Sequence, residues 1–259
     1  MPRKPRQRSQ TDCYHVMVRG LNKLAVFNDK RGKTRILNLI RENCKEYNVK
    51  IYAYCMMSNH FHLLLQAELK ELSAFMAKIL ASYAHYYNYR HQRIGYVFQD
   101  RYKSQCVETE DYFWSCVRYI HLNPVKAGLC KNIDDYNHSS INEYYQTREE
   151  GRRVLAEIAC KMCQKEFKNK KAFMDFHKIS TRDFFIDIPE EERLQRVKTA
   201  KDILWEMEYE LKTSAEEILD YSKTRKNFEQ RLRGLFHISQ KASQEIIKLI
   251  KNELGQRNK

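Results

Sequence analysis

Two histidines lie one residue apart in the segment MSNHFHLLLQ, residues 57–66. The second half of this segment is mostly apolar and predicts a buried strand. Because side chains alternate between the two faces of a strand, His60 and His62 point one way and Phe61 points the other way. Two imidazoles on one face can hold a metal ion. Alternatively, they are two unrelated polar residues at a strand edge.

A tyrosine and an asparagine supply further reactive groups. Tyr119 and Asn123 are four residues apart in DYFWSCVRYIHLN, so they share one face of a predicted helix. If this helix packs over the face that carries His60 and His62, two imidazoles, an amide oxygen and a phenol come together. Such a set suits Mg²⁺ or Mn²⁺ with positions left open for phosphate oxygens. His121 should point elsewhere, as a structural residue or a phosphate contact.

The order of predicted elements explains how these residues meet. Hydrophobic patterns predict strands at 13–20, 49–57, 60–66 and 104–108, and helices at 30–47, 69–91 and 111–123, the last ended by Pro124 and capped by Asp111 or Thr109. The order strand–helix–strand–strand–helix–strand predicts an α+β, ferredoxin-like domain with an antiparallel sheet. Its first and third strands are central, so His60 and His62 lie on a middle strand. Two helices cover one sheet face, and something else must cover or use the histidine face.

The composition changes near residue 135, which we take as a domain boundary. Residues 1–135 are predicted to form the catalytic domain. Residues 136–259 are predicted to form a helical region, with helices at about 151–166, 190–211, 214–221, 224–235 and 240–253. Ser214 and Glu217 fit a capping box. The basic segment 223–233, a break near Gly234 and the helix after it fit a DNA-binding helix-turn-helix, and equally a plain helical bundle.

An excess of positive charge favours a polyanionic partner. The 259 residues include 47 Lys and Arg against 33 Asp and Glu, a formal net charge of +14. Basic clusters lie at the N-terminus, at 165–171 and at 223–233. Solvated basic surfaces without such a partner are the alternative. DNA contacts are predicted for residues near the expected site or in the N-terminal arm: Arg19, Arg101, Tyr102, Lys103, Arg3 and Lys4.

Other features of the sequence indicate where in the cell the protein is expected to be located. No stretch of about 18 apolar residues predicts a membrane span. The first residues, MPRKPRQRSQ, do not have the pattern of a secretory signal, so we expect a cytoplasmic protein. The eight cysteines are expected to be reduced and mostly buried. Cys160 and Cys163 have the spacing of metal ligands, but a structural zinc site needs about four ligands and no second such pair occurs.

Three motifs in this order resemble the single-tyrosine HUH transposases: MSNHFHLLLQ, YVFQDRYKS and VRYIHLNPVKAGL. The resemblance covers residues 11–131 and is closest to the REP-associated tyrosine transposases and their insertion-sequence relatives. It implies that His60 and His62 are ligands of Mg²⁺ or Mn²⁺, with Asn123 as a further ligand. It also implies that Tyr119 is the nucleophile of DNA strand transfer. The long C-terminal extension departs from a minimal member of this family.

The resemblance predicts a metal-dependent endonuclease and strand transferase that cleaves single-stranded, hairpin-forming DNA through a 5′-phosphotyrosine. We expect a monomer or a homodimer. The main alternative is a non-catalytic DNA-binding regulator with a ferredoxin-like domain, which the basic C-terminal helices favour. Two further alternatives are an HUH replication initiator or relaxase, which often carries paired tyrosines, and an RNA-binding ferredoxin-like domain, which carries aromatic residues where this chain has histidines.

Overall fold

A computed structural model describes residues 5–145, 153–179, 189–236, 238 and 240–257, with the backbone alone at 189–195, 241 and 255–257. Arg3 and Lys4, two of the predicted DNA contacts, lie outside the described residues. The chain divides into two units, Met1–Ile186 and Asp187–Lys259.

An antiparallel sheet forms the centre of the first unit. Its strands are β1 Cys13–Arg19, β2 Lys50–Met56, β3 His60–Gln66 and β4 Lys103–Cys106. The order in the sheet is β2-β3-β1-β4, so β1 and β3 are the central pair, and the neighbouring strands are antiparallel. This order confirms the ferredoxin-like arrangement and places both predicted histidines on a middle strand.

Two helices, α1 Lys30–Cys44 and α2 Leu69–Arg90, pack against each other on one side of the sheet. Phe61, which points away from its neighbouring histidines, packs against Phe27 with 5.5 Å between ring centroids. Phe27 in turn packs against Tyr83 of α2 at 5.0 Å. This apolar layer fixes the central strands from the side opposite to the histidines.

A third helix, α3 Glu110–Lys126, packs on β2 and β3. The side chain of Thr109 caps its first turn, which is one of the two predicted caps. The prediction that Pro124 ends the helix is wrong, because Pro124 lies inside it. Proline removes one backbone N–H, yet the Asn123 carbonyl still accepts a hydrogen bond from Ala127 N at 3.0 Å. The helix therefore continues past the proline.

The first unit extends well beyond the boundary predicted at residue 135. Residues 138–145 and 153–156 follow the outer edge of β2. Met56 N donates to the His138 carbonyl at 2.9 Å, and Ala156 N donates to the Ile51 carbonyl at 2.9 Å. A free sheet edge leaves backbone groups unpaired, and this segment pairs some of them. The predicted boundary is too early because a polar stretch binds the sheet through its backbone.

Two short helices, α4 Glu157–Glu166 and α5 Lys170–Phe176, complete the described part of the first unit. The helix predicted at 151–166 begins only at Glu157, and the sequence pattern does not predict α5. Phe173 of α5 is fully buried, with its ring centroid 5.0 Å from those of Phe167 and Tyr144. A helix this short is stable through such packing rather than through its own propensity.

The described part of the second unit is helical: α6 Pro189–Leu211, α7 Ala215–Asp220, α8 Ser222–Phe236 and α9 Gln240–Arg257. The predicted capping box is confirmed, since Ser214 Oγ accepts from Glu217 N and the Glu217 carboxylate accepts from Ser214 N. A break is predicted near Gly234, and α8 ends at Phe236, two residues after that glycine. None of the described helices, in either unit, has the length and apolar character of a membrane span.

Candidate active site

The pairing of β1 with β3 gathers polar side chains on one sheet face. Arg19 lies opposite His60, and Met17 lies opposite His62. Directly paired residues point to the same face, and so do residues two apart in one strand. His15 therefore belongs to this face as well. The alternation in CYHVMVR positions His15, Met17 and Arg19 beside both histidines of the HFH motif.

The histidines form a buried group. His15 Nε2 and His62 Nδ1 are 2.9 Å apart, and His60 Nδ1 is 2.7 Å from Asn59 Oδ1. His60 is 4% exposed and His62 is fully buried. Because an amide oxygen only accepts, His60 carries its proton on Nδ1 and its lone pair on Nε2. His60 Nε2 is buried without a hydrogen-bond partner in the described part of the chain. This atom is suited to bind a metal ion.

Burial keeps these imidazoles neutral at pH 7. It lowers the pKa of His60 to about 4, and the positive charge of Arg19 contributes in the same direction. Burial also lowers the pKa of His15 to about 3 and the pKa of His62 well below its ordinary value. Neutral imidazole is the form that ligates metals, so the group is in its binding form at physiological pH.

Tyr119 of α3 lies against this histidine group. Its ring makes edge contacts with His62 and His15, at centroid distances of 5.5 Å and 5.7 Å. Tyr119 is 4% exposed, and Lys126 Nζ lies 4.8 Å from the centroid of its ring. An ammonium group at this position attracts negative charge on the phenol oxygen or on a phosphate. The structure therefore brings together a tyrosine, histidines and a lysine.

Asn123 lies one turn after Tyr119 on the same helix and is 6% exposed. Its Nδ2 donates to the Tyr119 carbonyl at 3.0 Å, which orients the amide and leaves Oδ1 as an acceptor. Within the ranges that the structure describes, no three His, Cys, Asp or Glu side chains are grouped as a metal site. A metal ion held here would thus need an oxygen ligand of another kind, such as this amide.

Two of the predicted DNA contacts lie on the histidine face. Arg19 is paired with His60, and Lys103 is paired with Met17. Lys103 and Arg101 are exposed. Arg19 and Lys103 share the face of the buried histidine group and are able to contact phosphates that approach it.

Tyr102, by contrast, is packed into the protein. It is 7% exposed, and its hydroxyl lies 3.2 Å from Ser73 Oγ. The guanidinium carbon of Arg6 lies 3.8 Å from the centroid of its ring. The ring is therefore not available to stack on bases, and Arg6 supplies a cation above it instead.

His121 takes the structural role that was one of its two predicted roles. Its Nδ1 is 2.9 Å from His177 Nε2, and its Nε2 is 2.8 Å from Ser140 Oγ. His177 Nδ1 is 2.7 Å from the Phe173 carbonyl, which only accepts, so His177 donates from Nδ1. His121 then donates from Nδ1, and Ser140 donates to His121 Nε2. This chain of hydrogen bonds, here called the His121 bridge, joins α3 to α5, and the Tyr54 N–H donates to Ser140 Oγ.

Sequence reasoning missed two members of the site, His15 and Lys126. His15 has a signal in the sequence, because it alternates with Arg19 along one strand. Lys126 follows Tyr119 by seven residues, about two helical turns, and so shares its face. Lys126 also contributes to the low pKa of His62, although burial is the larger cause.

Residues 9–123 match the family model described as Transposase IS200 like. The similarity to that family covers 115 of the 259 residues, a little less than half of the chain. The matched segment contains the HFH motif and ends at Asn123, with Tyr119 inside it.

Among curated proteins, none matches this chain. Among solved structures, the chain is similar to a REP-associated tyrosine transposase bound to a REP hairpin. That similarity has 18% identity and a TM-score of 0.49, and it covers 61% of this chain and 96% of the other. A candidate transposase from Deinococcus radiodurans R1 has 14% identity and a TM-score of 0.32, covering 52% of this chain and 95% of that one.

Proposed function

We propose that the protein is a metal-dependent DNA endonuclease and strand transferase that uses Tyr119 as its nucleophile. One observation carries this proposal: the Tyr119 ring lies against His62, in the same buried group as His60, whose Nε2 has no hydrogen-bond partner among the described residues. Tyrosine and metal ligands are the parts that phosphoryl transfer to a phenol requires.

The residues present fit a divalent ion. His60 and His62 offer neutral imidazole nitrogens, and Asn123 offers an amide oxygen. Mg²⁺ and Mn²⁺ favour oxygen ligands, which the Asn123 amide and the phosphate oxygens of the substrate would supply. When bound, the ion withdraws charge from the scissile phosphate and stabilises the leaving oxygen. His15, through its hydrogen bond to His62 Nδ1, orients that ring as residues behind metal ligands do.

In the proposed reaction the phenol oxygen of Tyr119 attacks the phosphorus of a DNA phosphodiester. The bond between this oxygen and phosphorus forms as the bond to the 3′ oxygen breaks. The phenol loses its proton, and the 3′ oxygen gains one and leaves as a hydroxyl. The products are a 5′-phosphotyrosine and a free 3′-OH. Because the phosphotyrosine is still a phosphodiester, another 3′-OH can attack it and rejoin strands without ATP.

Cations around the site support a polyanionic substrate such as DNA. Arg19 and Lys103 share the histidine face, and Lys126 lies beside the Tyr119 ring. They neutralise the phosphates on either side of the scissile bond, so binding should weaken steeply as salt increases. The resemblance of the three motifs to REP-associated transposases favours hairpin-forming DNA as the substrate.

The test is covalent capture on labelled, single-stranded hairpin DNA that includes sequences flanking the gene. Full-length protein is incubated with Mg²⁺ or Mn²⁺ and separated on a denaturing gel. We expect a protein–DNA band that Tyr119→Phe, His60→Ala and EDTA each abolish. Tyr112→Phe, a tyrosine of the same helix, is the matched control and should keep the band.

A non-catalytic regulator predicts a different result from the same samples. The DNA would shift on native gels, but no covalent band would form with any metal, and Tyr119→Phe would behave as wild type. A covalent band that persists in Tyr119→Phe would also contradict the proposal, because it would place the linkage on another residue.

A further inference from the structure

Charges in the second unit are divided between its helices. α7 contains three acidic residues and no basic one, and α6 contains more acidic than basic residues. α8 is the reverse, with Glu229 as its one acid. The basic residues of α8 are Lys223, Arg225, Lys226, Arg231 and Arg233. α8 therefore has the largest net positive charge of the four helices, ahead of α9 with four basic and two acidic residues.

The outward face of α8 is a continuous stripe without an acidic residue. It lies opposite to Phe228, Leu232 and Phe236, which are buried. The stripe, called the basic stripe below, consists of exposed residues spaced three or four apart: Lys223, Lys226, Asn227, Gln230 and Arg233. Its three cations have no ion-pair partner among the residues that the structure describes. Arg231, which lies off the stripe, pairs with Glu210 at 2.9 Å.

The corner between α7 and α8 is held by hydrogen bonds. Only Tyr221 separates the two helices. Thr224 Oγ1 donates to the Ile218 carbonyl at 2.8 Å, and Arg225 Nη1 donates to the Leu219 carbonyl at 3.5 Å. The first turn of α8 thus satisfies carbonyl groups at the end of α7. These bonds fix the direction in which the basic stripe projects from the unit.

Gly234 adds an independent observation. It falls on the same outward side of α8, and a Cβ atom built there meets nothing within 4 Å. Glycine destabilises a helix interior relative to alanine, and no contact within the described unit requires it. Glycine is favoured where another molecule must approach the backbone closely. The surface of α8 is therefore both positively charged and free of side-chain bulk at this point.

We propose that the basic stripe is a binding site for double-stranded DNA, separate from the tyrosine site. An α-helix fits the major groove of a DNA duplex, which is about 12 Å wide. Lysine and arginine contact phosphates, while Asn227 and Gln230 carry the amide groups that pair with the edge of adenine. Surfaces for single strands present aromatic rings to unstacked bases, and the stripe contains none. Such a site would hold the transposase on a flanking duplex, and it does not depend on the strand transfer proposed for Tyr119.

The experiment measures duplex binding by the full-length protein. Fluorescence anisotropy of a labelled blunt-ended duplex is recorded at several salt concentrations. The stripe variant is Lys226→Ala with Arg233→Ala. The matched control is Lys198→Ala with Lys248→Ala, which removes two exposed charges from other helices of the same unit. We expect the stripe variant to bind about tenfold more weakly, with a salt slope reduced by about 2, and the control to change less than about twofold.

Equal losses in the two double variants, or no loss in the stripe variant, would overturn the assignment. A loss confined to single-stranded DNA would overturn it as well. Gly234→Ala provides a second test, because it should change thermal stability and duplex affinity in opposite directions. It should raise the melting temperature and weaken duplex binding, and an unchanged duplex affinity would contradict close approach at this position. The stripe variant should still form the covalent band on hairpin DNA. The covalent band therefore tests the reaction of Tyr119, and duplex affinity tests the basic stripe independently of it.

Discussion

When the protein unfolds at low pH, it takes up protons, and replacement of His177 by phenylalanine should reduce this uptake by nearly one proton. Burial lowers the pKa of His177 to about 4, and it lowers the pKa of His121 well below its ordinary value. An unfolded histidine has a pKa of about 6.5. Because the folded pKa is the lower one, the folded state binds fewer protons. The stabilisation is complete above pH 6.5 and is lost as the pH falls towards 4.

The size of the effect follows from these two values. At pH 5, an unfolded histidine is about 97% protonated, whereas folded His177 is about 9% protonated. Unfolding therefore takes up about 0.9 proton at this residue. Between pH 7 and pH 5 this uptake lowers the free energy of unfolding by about 2 kcal/mol. Phenylalanine keeps a ring beside Phe173 and Phe176 but does not titrate.

The assay is urea unfolding followed by circular dichroism at several pH values from 7 to 5. The slope of unfolding free energy against pH should be smaller in His177→Phe than in wild type by about 1.2 kcal/mol per pH unit near pH 5. The variant also loses the acceptor of the His121 bridge, at a cost of about 1 to 3 kcal/mol at every pH. His85→Asn, at an exposed position, should keep the wild-type slope. Equal slopes in His177→Phe and wild type would refute the neutral, buried state of His177.

Three further changes test the packing and the site. Glu143→Gln should lower the free energy of unfolding in urea by about 1 to 3 kcal/mol, because this carboxylate accepts hydrogen bonds from two backbone N–H groups and from the Tyr54 hydroxyl. Unchanged stability would contradict the attachment of this segment to β2. Asp29→Ala should cost about 1 kcal/mol in thermal unfolding, since Asp29 caps α1, and Asp29→Asn should retain most of that stability. Lys126→Ala should slow covalent capture about tenfold or more without changing the product, and Lys126→Arg should recover part of the rate. A wild-type rate in Lys126→Ala would show that this lysine does not assist the reaction of Tyr119.

The sequence predicts those parts of the fold in which side chains on one face recur every two residues, as in a strand, or every three to four residues, as in a helix. Strict alternation predicts that His60 and His62 share a face, and it holds because the sheet buries both of its sides. A spacing of four residues predicts that Tyr119 and Asn123 share a helical face. The outcome at Pro124 shows the limit of such rules, because neighbouring hydrogen bonds outweigh the loss of one N–H group.

Contacts between distant segments could not be predicted in the same way. The hydrogen bond between His15 and His62 depends on the register of β1 with β3, which is set by the packed sheet. The His121 bridge joins residues 56 positions apart, His121 and His177. The domain boundary was misplaced for a similar reason, since Ala156 binds the edge of β2 through backbone groups that leave no side-chain pattern.

Peptide mapping of the covalent complex identifies the residue that is bonded to DNA. Trypsin cuts after Arg118 and Lys126, so it should release the peptide YIHLNPVK, in which Tyr119 is the first residue and the only tyrosine. The protein is reacted with hairpin DNA and Mg²⁺ or Mn²⁺, digested with trypsin and nuclease, and analysed by mass spectrometry. We expect this peptide to carry the mass of a 5′-linked nucleotide on Tyr119. A nucleotide on any other peptide, or a 3′-linked nucleotide, would contradict it.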